Sequence, residues 1–318
     1  MSVLDEKLQG AKTAVILGHV RPDGDCVGSC LAVYNYIKEQ YPKVQPTLCL
    51  EPPASKFQYL EYFSQIQSEF VPERKFDLCI CLDCGDPERL GGFVPYLETA
   101  ADSLCVDHHI TNNGYGAANV IEAEASSTCE VLYGLMDPER ISRSVAECLY
   151  TGIIHDTGVL QYSNTSRKTM EIAGKLVDTG IDSATIIRDS FYKKTYVQNQ
   201  ILGRALLESI LFLDGTCIFS VVKQKDMEFY GVTGPDLDGI VEQLKLTDGV
   251  ECAIFLHETD SHEYKISMRS NTDLDVSVVA GYFGGGGHKK AAGCTMRGSI
   301  HDVINNLAAR IELQLKER

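Results

Sequence analysis

Apolar positions along the chain fall into short runs, each ending in a polar cluster. The first run, Ala14-Val15-Ile16-Leu17, stops at Gly18-His19-Val20-Arg21-Pro22-Asp23-Gly24-Asp25. A short aliphatic run closed by a turn with Pro and Gly predicts a buried strand that delivers its last residues to a loop. Residues 27–40 then alternate small, apolar and polar side chains at helical spacing. Thr47-Leu48-Cys49-Leu50 predicts a second strand, closed by Pro52-Pro53, and residues 56–63 predict a helix. The near-continuous apolar run at 76–82 suits a strand covered on both faces in a parallel sheet, and it ends at Asp83-Cys84-Gly85-Asp86. Leu104-Cys105-Val106 delivers Asp107-His108-His109. A strand around 119–121, a helix over 127–135 and a helix over 145–155 leading to Asp156-Thr157-Gly158 complete a pattern that predicts a doubly wound α/β sheet.

Three helical stretches follow, at 168–178, 185–192 and 197–209, with no Pro-rich or Ser-rich tether between them. They predict a helical hinge rather than a flexible linker. Beyond it, strands at 216–222, 252–256 and 264–269 and helices at 239–244, 276–282 and 301–313 predict a smaller α/β domain. The expected organisation is therefore a first domain at 1–190, a helical connector at 191–212 and a second domain at 213–318. A chain of 318 residues readily holds two such cores.

Composition narrows the class. With 44% hydrophobic and 23% charged residues, the chain reads as an ordinary globular protein. Its first residues lack the basic and apolar segments of a secretory signal, and no apolar run reaches membrane-spanning length. The twelve cysteines lie mostly inside apolar runs, so a reduced, cytoplasmic setting is expected. The single CxxC at Cys81-Leu82-Asp83-Cys84 has no second pair to complete a zinc site, and its thiols read as small core hydrophobes. A net charge of −15 argues against a protein that coats long nucleic acid through a basic surface. It leaves room for a small anionic substrate held by metals and a few convergent cations.

His19, Asp23, Asp25, Asp83, Asp107, His108, His109 and Asp156 all fall at the ends of predicted strands or helices on one side of the sheet. Ligands of open α/β sheets bind beyond the carboxyl ends of the strands. Carboxylates and imidazoles crowded there repel and desolvate one another unless a cation lies between them. Any one of these acids could simply cap a helix, but the repetition at four separate places is hard to obtain that way. In the second domain, Gly284-Gly285-Gly286-Gly287 precedes His288-Lys289-Lys290. Glycines let backbone N–H groups approach an anion, although flexible turns look the same. Arg269 adds a guanidinium able to grip phosphate through two parallel hydrogen bonds. Lys289 or Lys290 could face solvent, and Arg21 fits a loop ion pair better than a phosphate contact.

The run from His19 to Ser29, the Asp83 strand end, the Asp107-His108-His109 triplet and Asp156-Thr157-Gly158 resemble the four motifs of the DHH phosphoesterases. Met268-Arg269-Ser270-Asn271 and the stretch from Gly284 to Gly293 resemble their DHHA1 domain. Ordering, length and the Gly-rich motif are most similar to the NrnA-type branch, whose members act on very short oligoribonucleotides and on 3′-phosphoadenosine 5′-phosphate (pAp). The resemblance implies two Mn²⁺ ions, with Mg²⁺ as the alternative. His19 and Asp23 would hold one, Asp25, His108 and Asp156 the other, with Asp83 bridging. Two such ions activate a water and clamp the phosphoryl oxygens. Asp107 would orient a metal-bound imidazole, and His109 would face the substrate as a hydrogen-bond donor or general acid. Arg269, Gly286, Gly287, His288 and Lys289 would bind a terminal phosphate or nucleotide in a clamp that measures length. His155 stands where a smaller or hydroxyl-bearing residue is expected, and no role follows for it. Other readings stay open at this point: a cyclic-dinucleotide phosphodiesterase, a RecJ-like single-strand exonuclease, and a nucleotide-binding regulator without turnover. Short oligoribonucleotides or nucleotide bisphosphates are the expected partners, no membrane is expected, and a homodimer stays open.

Overall fold

The apolar runs of the first half become the strands of a single parallel sheet. The computed structural model describes residues 1–316; Glu317 and Arg318, included in the expected second domain, lie outside the described residues. The chain divides into two compact units, Met1–Lys193 and Lys194–Arg318.

The first unit runs α1 (Val3–Gly10), β1 (Thr13–Leu17), α2 (Gly24–Gln40), β2 (Gln45–Cys49), β3 (Leu78–Leu82), α3 (Val94–Thr99), β4 (Asp102–Asp107), β5 (Ala118–Ile121), α4 (Thr128–Leu135), α5 (Arg143–Asp156), α6 (Arg167–Asp178) and α7 (Ser183–Ile187), followed by a π-helical turn at Arg188–Tyr192. The five strands are all parallel, in the order β2-β1-β3-β4-β5. The order reverses between β1 and β3, and such a switch point leaves a crevice at the carboxyl ends of the two strands. Both faces are covered, which explains the continuous apolar runs. Leu78, Ile80 and Leu82 of β3 join the core built with α2, α4 and α5, while Cys79 and Cys81 face a second layer with Leu90, Phe93 and Tyr96. Small residues set the helix spacing: a Cβ at Gly28 of α2 would stand 2.6 Å from the Cys148 carbonyl oxygen of α5.

The helix expected at 56–63 is absent. The segment holds only 3₁₀ turns at Ser55–Phe57 and Phe63–Gln65, because Tyr62 adopts a left-handed backbone, φ 62°, and packs its ring on Tyr34. Its apolar side chains pin a surface segment to the core instead of forming one helical face.

The second unit contains α8 (Tyr196–Leu207), β6 (Ile210–Phe212), β7 (Cys217–Val222), α9 (Gln224–Tyr230), α10 (Ile240–Lys245), β8 (Cys252–Asp260), β9 (Glu263–Ser270), α11 (Val276–Tyr282), β10 (Gly286–His288), β11 (Ala291–Arg297) and α12 (Ile300–Lys316). Its six strands run β10-β11-β9-β8-β7-β6, and only β7 and β8 pair in parallel. Helices α11 and α12 cover one face, α8 and α10 part of the other. Within the stretch read as a connector, α8 buries Ile201 and Ala205 in this unit's core, and Ser220 donates to the Ala205 carbonyl at 2.6 Å. The Gly-rich stretch is not an open loop. Gly286–His288 pairs with Ala291–Gly293 as an antiparallel edge hairpin. The small residues of β11 carry little strand signal, and the alternating β9 beside it fixes their conformation.

Candidate metal centre and active site

Two imidazoles are presented in the same way at the crevice. His19 lies just beyond β1 and donates from Nδ1 to the Val20 carbonyl at 2.9 Å. Its Nε2 therefore faces the acids, 3.5 Å from Asp83 Oδ2 and 3.7 Å from Asp23 Oδ1. His108, just beyond β4, donates from Nδ1 to the Ala125 carbonyl at 3.3 Å. Its Nε2 lies 3.1 Å from Asp156 Oδ2 and 3.7 Å from Asp83 Oδ1. A ring tied to a carbonyl through Nδ1 keeps its Nε2 lone pair for a metal.

The carboxylates are held as firmly. Asp83 follows β3 in a left-handed conformation, φ 53°, is buried between the two rings, and accepts from Thr128 Oγ1 at 3.2 Å. Asp25, in the first turn of α2, is fully buried. It accepts the N–H groups of Thr128 (2.7 Å) and Cys129 (3.0 Å) at the start of α4. Gly152 makes room for it, since a Cβ there would stand 2.5 Å from Asp25 Oδ1. Asp156 ends α5, and Asp23 caps α2 by accepting from the N–H groups of Asp25 and Cys26, both at 3.1 Å. The capping role weighed for this residue is thus real and coexists with its place beside His19.

Charge in the cluster is unbalanced without a cation. Burial opposes protonation of His19, yet its hydrogen bonds to Asp23 and Asp83 push it up to about 12. Burial likewise opposes protonation of His108, whose bond to Asp156 and proximity to Asp25 push it up to about 10. Burial, with the charge of Asp83 nearby, raises Asp156 to about 6 against the bond from His108. Burial, and then the charges of Asp83 and Asp156, lifts Asp25 well above the ordinary carboxylate range. For Asp23 desolvation by the surrounding cluster works upward, but the bond and charge of His19 hold it down at about 2. Ligand atoms of Asp25, His108 and Asp156 lie within 4.8 Å of one another, as do those of Asp83, His108 and His109. Oxygen-rich ligands with two oriented imidazoles and this appetite for positive charge fit hard or borderline divalent ions.

Asp107 meets the His109 ring rather than that of His19 or His108. Fully buried at the end of β4, it accepts from His109 Nδ1 at 2.7 Å and from the His108 and His109 N–H groups at 2.8 and 3.3 Å. Its tight turn reaches the next ring but one, leaving His108 to the Ala125 carbonyl. Asn112 donates to its other oxygen at 2.7 Å. Burial raises the Asp107 carboxyl, but the bonds from His109 and Asn112 hold it below its ordinary value, and Asp107 in turn raises His109 against burial. Sequence reasoning missed Asn112 and Thr128. Neither stands at a strand end, and only the folding of two loops onto the acids reveals them.

His155 acquires a structural place. Its ring sits edge-on to Phe57 (5.0 Å) and Phe191 (5.4 Å), with Nε2 3.1 Å from Ser190 Oγ. A Cβ at Gly24 would stand 2.2 Å from it, so the ring packs directly under the Asp23-Gly24-Asp25 turn. Burial, then the charge of Lys56, lowers it to about 3, so the ring is neutral. Arg21 is exposed, and its backbone N–H donates to Glu51 at 2.6 Å.

In the second unit, His288 pairs with Ala291 and Ala291 with Arg269. Directly opposed residues share a face, so Arg269 and His288 flank a small alanine, two strands or roughly 10 Å apart. The Arg269 guanidinium is oriented by Glu242 of α10 and by the Met268 carbonyl. Gly286, Gly287, His288 and Lys289 are exposed; Lys289 lies 3.5 Å from Asp273, and Lys290 donates to the Thr272 carbonyl.

The parallel sheet with acids and imidazoles at its switch point, followed by a mixed-sheet domain, defines a class, and comparison with family models agrees. Residues 13–153 match the DHH family, N-terminal domain, and residues 214–317 match the DHHA1 domain. The chain belongs to the DHH/DHHA1 family. Among its relatives, the bifunctional oligoribonuclease and PAP phosphatase NrnA of Bacillus subtilis is 24% identical over 310 residues, covering 96% of this chain and 95% of that protein. The protein of the same description from Thermus thermophilus is 26% identical, covering 94% and 89%. An exopolyphosphatase-related protein from Bacteroides fragilis has the same fold, with a TM-score of 0.88 at 24% identity over 97% of this chain and 94% of that one. Among the described residues, no helix is long and apolar enough to cross a membrane.

Proposed function

We propose that this chain hydrolyses phosphoester bonds in very short oligoribonucleotides, pApA among them, and in pAp. The observation that carries the reading is the pair of imidazoles presented through Nε2 to one shared carboxylate, Asp83. Relatives described as oligoribonuclease and PAP phosphatase, matched over nearly their whole length, supply the substrate class.

In this reading His19, Asp23 and Asp83 would hold one Mn²⁺ and Asp25, His108, Asp156 and Asp83 a second, with Mg²⁺ as the alternative ion. Such ions supply activation of water and neutralisation of phosphoryl charge. The protein's own groups do the rest. Backbone N–H groups of α4 keep Asp25 in place, and the Val20 and Ala125 carbonyls fix the two rings. Asp107 keeps a proton on His109 Nδ1 and aligns the ring, so that Nε2 can protonate the leaving oxygen or bond the scissile phosphate. Arg269, Gly286, Gly287, His288 and Lys289 bind the terminal phosphate or nucleotide.

The test is a Mn²⁺-supplemented time course on pAp, pApA, a five-nucleotide RNA, a long single strand and cyclic di-AMP, with Asp83→Ala in parallel. Phosphate from pAp and mononucleotides from pApA and short RNA, with the long strand spared and Asp83→Ala inactive, is the expected outcome. Preference for cyclic di-AMP or for the long strand replaces this reading, and hydrolysis unaffected by Asp83→Ala removes the metal cluster from it.

A further inference from the structure

One thiol lies among the acids and imidazoles. Cys26 follows Asp25 in the first turn of α2 and is fully buried. Its Sγ, one His19 ring nitrogen and one Asp83 carboxylate oxygen all lie within 4.8 Å of one another, and His19 and Asp83 are only 4% and 2% exposed. Gly18 opens the space for the sulfur, since a Cβ there would stand 2.3 Å from it. The thiol's neighbours are the His19 carbonyl, at a long 4.0 Å, and the Cys30 thiol.

The nitrogen and oxygen beside it are spaced for one ion. Two ligands bonded at 2.0–2.2 Å across a tetrahedral angle stand roughly 3.3–3.6 Å apart. His19 Nε2 and Asp83 Oδ2 are 3.5 Å apart. The other end of the cluster is different: Asp25, His108 and Asp156 group without a thiol. The two ends of the centre therefore differ in ligand softness.

We propose that His19, Cys26 and Asp83 form a mixed nitrogen, sulfur and oxygen site that binds a borderline or soft divalent ion such as Zn²⁺, Co²⁺ or Cd²⁺ through the Cys26 sulfur. The Asp25, His108 and Asp156 end remains the harder site for Mn²⁺ or Mg²⁺. The inference rests on the reading of this cluster as a metal centre. On binding, the thiol passes its proton to solvent and the sulfur donates its lone pair to the ion, with no change of oxidation state. Softness and the Irving–Williams order make this end prefer Zn²⁺ to Mn²⁺. Zinc would thus displace manganese from one half of the centre before the other.

The test reads bonding rather than turnover. Metal-free protein is titrated with Co²⁺ and with Cd²⁺ while sulfur-to-metal charge-transfer absorption is followed, in the parent, in Cys26→Ser and in Cys30→Ser. Cys30 is the control thiol, fully buried one turn further along α2. The expected result is a band in the parent and in Cys30→Ser that is lost in Cys26→Ser. X-ray absorption on the Zn²⁺-loaded parent needs no variant and should show a sulfur shell near roughly 2.3 Å. Binding with nitrogen and oxygen neighbours only, or a band that persists in Cys26→Ser, overturns this proposal and leaves the metal centre standing. Absence of any ion binding overturns both.

Discussion

Asp107 and His109 are joined by a hydrogen bond of 2.7 Å from Nδ1 of the ring to the carboxylate. Because Asp107 raises the His109 ring, His109 stays protonated to higher pH than a free imidazole. Asp107→Asn keeps the shape and removes the charge, so turnover should fall roughly 10- to 100-fold. The alkaline limb of the pH–rate profile should also move to lower pH. An unmoved limb would separate Asp107 from the proton transfer. The proposed metal site titrates with the opposite consequence. His108, raised to about 10 in the metal-free protein, holds a proton at neutral pH that an ion must displace. Mn²⁺ affinity should therefore climb with pH through about 10, where His108 loses its proton, and toward about 12 for His19, with protons released on binding. Calorimetry in two buffers of different ionisation enthalpy measures that release, and a pH-independent affinity would contradict it.

His155 gives a stability prediction with a defined sign. Its folded value, about 3, lies below the ordinary 6.5, so its contribution is complete above pH 6.5 and is lost as pH falls toward 3. The limiting slope for one such proton is about 1.4 kcal/mol per pH unit. Urea midpoints of the parent and His155→Gln, compared across that range, should converge as pH falls. Parallel curves would show that the ring is not held neutral.

At the scale of elements, glycines decide where helices may approach one another and the acids. Gly28→Ala would drive a Cβ against the Cys148 carbonyl at 2.6 Å, between α2 and α5. Overpacking of this kind costs about 1–3 kcal/mol. Gly152→Ala would press on Cys129 Sγ at 2.2 Å and on Asp25 Oδ1 at 2.5 Å, so it should weaken Mn²⁺ binding as well. Gly174 of α6 has nothing within 4 Å of an added Cβ, and Gly174→Ala should be neutral or stabilise by up to about 1 kcal/mol. Denaturant midpoints for the three variants, with and without Mn²⁺, check the order. Equal effects at all three would mean that close approach is not what these positions serve.

For the molecule as a whole, the residues proposed to hold the metals all come from Met1–Lys193, and those proposed to hold the terminal phosphate all come from Lys194–Arg318. Mn²⁺ should therefore increase hydrogen-exchange protection in the first unit, most at the turns carrying His19, Asp83 and His108. The core strands of the second unit should be unchanged. Protection gained equally in α12 would show that the ion acts through both units.

How much of this was legible follows from the range of the interactions concerned. Continuous apolar runs announced β1, β3 and β4, and the polar residues ending them announced the acids and imidazoles, because burial of a strand and the turn after it are local properties. The strand at Ala291–Arg297 was not legible, since its small residues take their conformation from β9. Nor was the partner of Asp107, because which imidazole it meets depends on how the His108-His109 turn folds. Asn112 and Thr128 reach the acids only through loops distant in sequence, and Cys26 becomes a candidate ligand only because Gly18 and Asp83 meet it in space. The sequence by itself determined which chemistry is present and the strand ends that carry it. The tertiary structure decided which atoms face one another, because hydrogen-bond direction and ligand spacing are set by contacts between segments far apart along the chain.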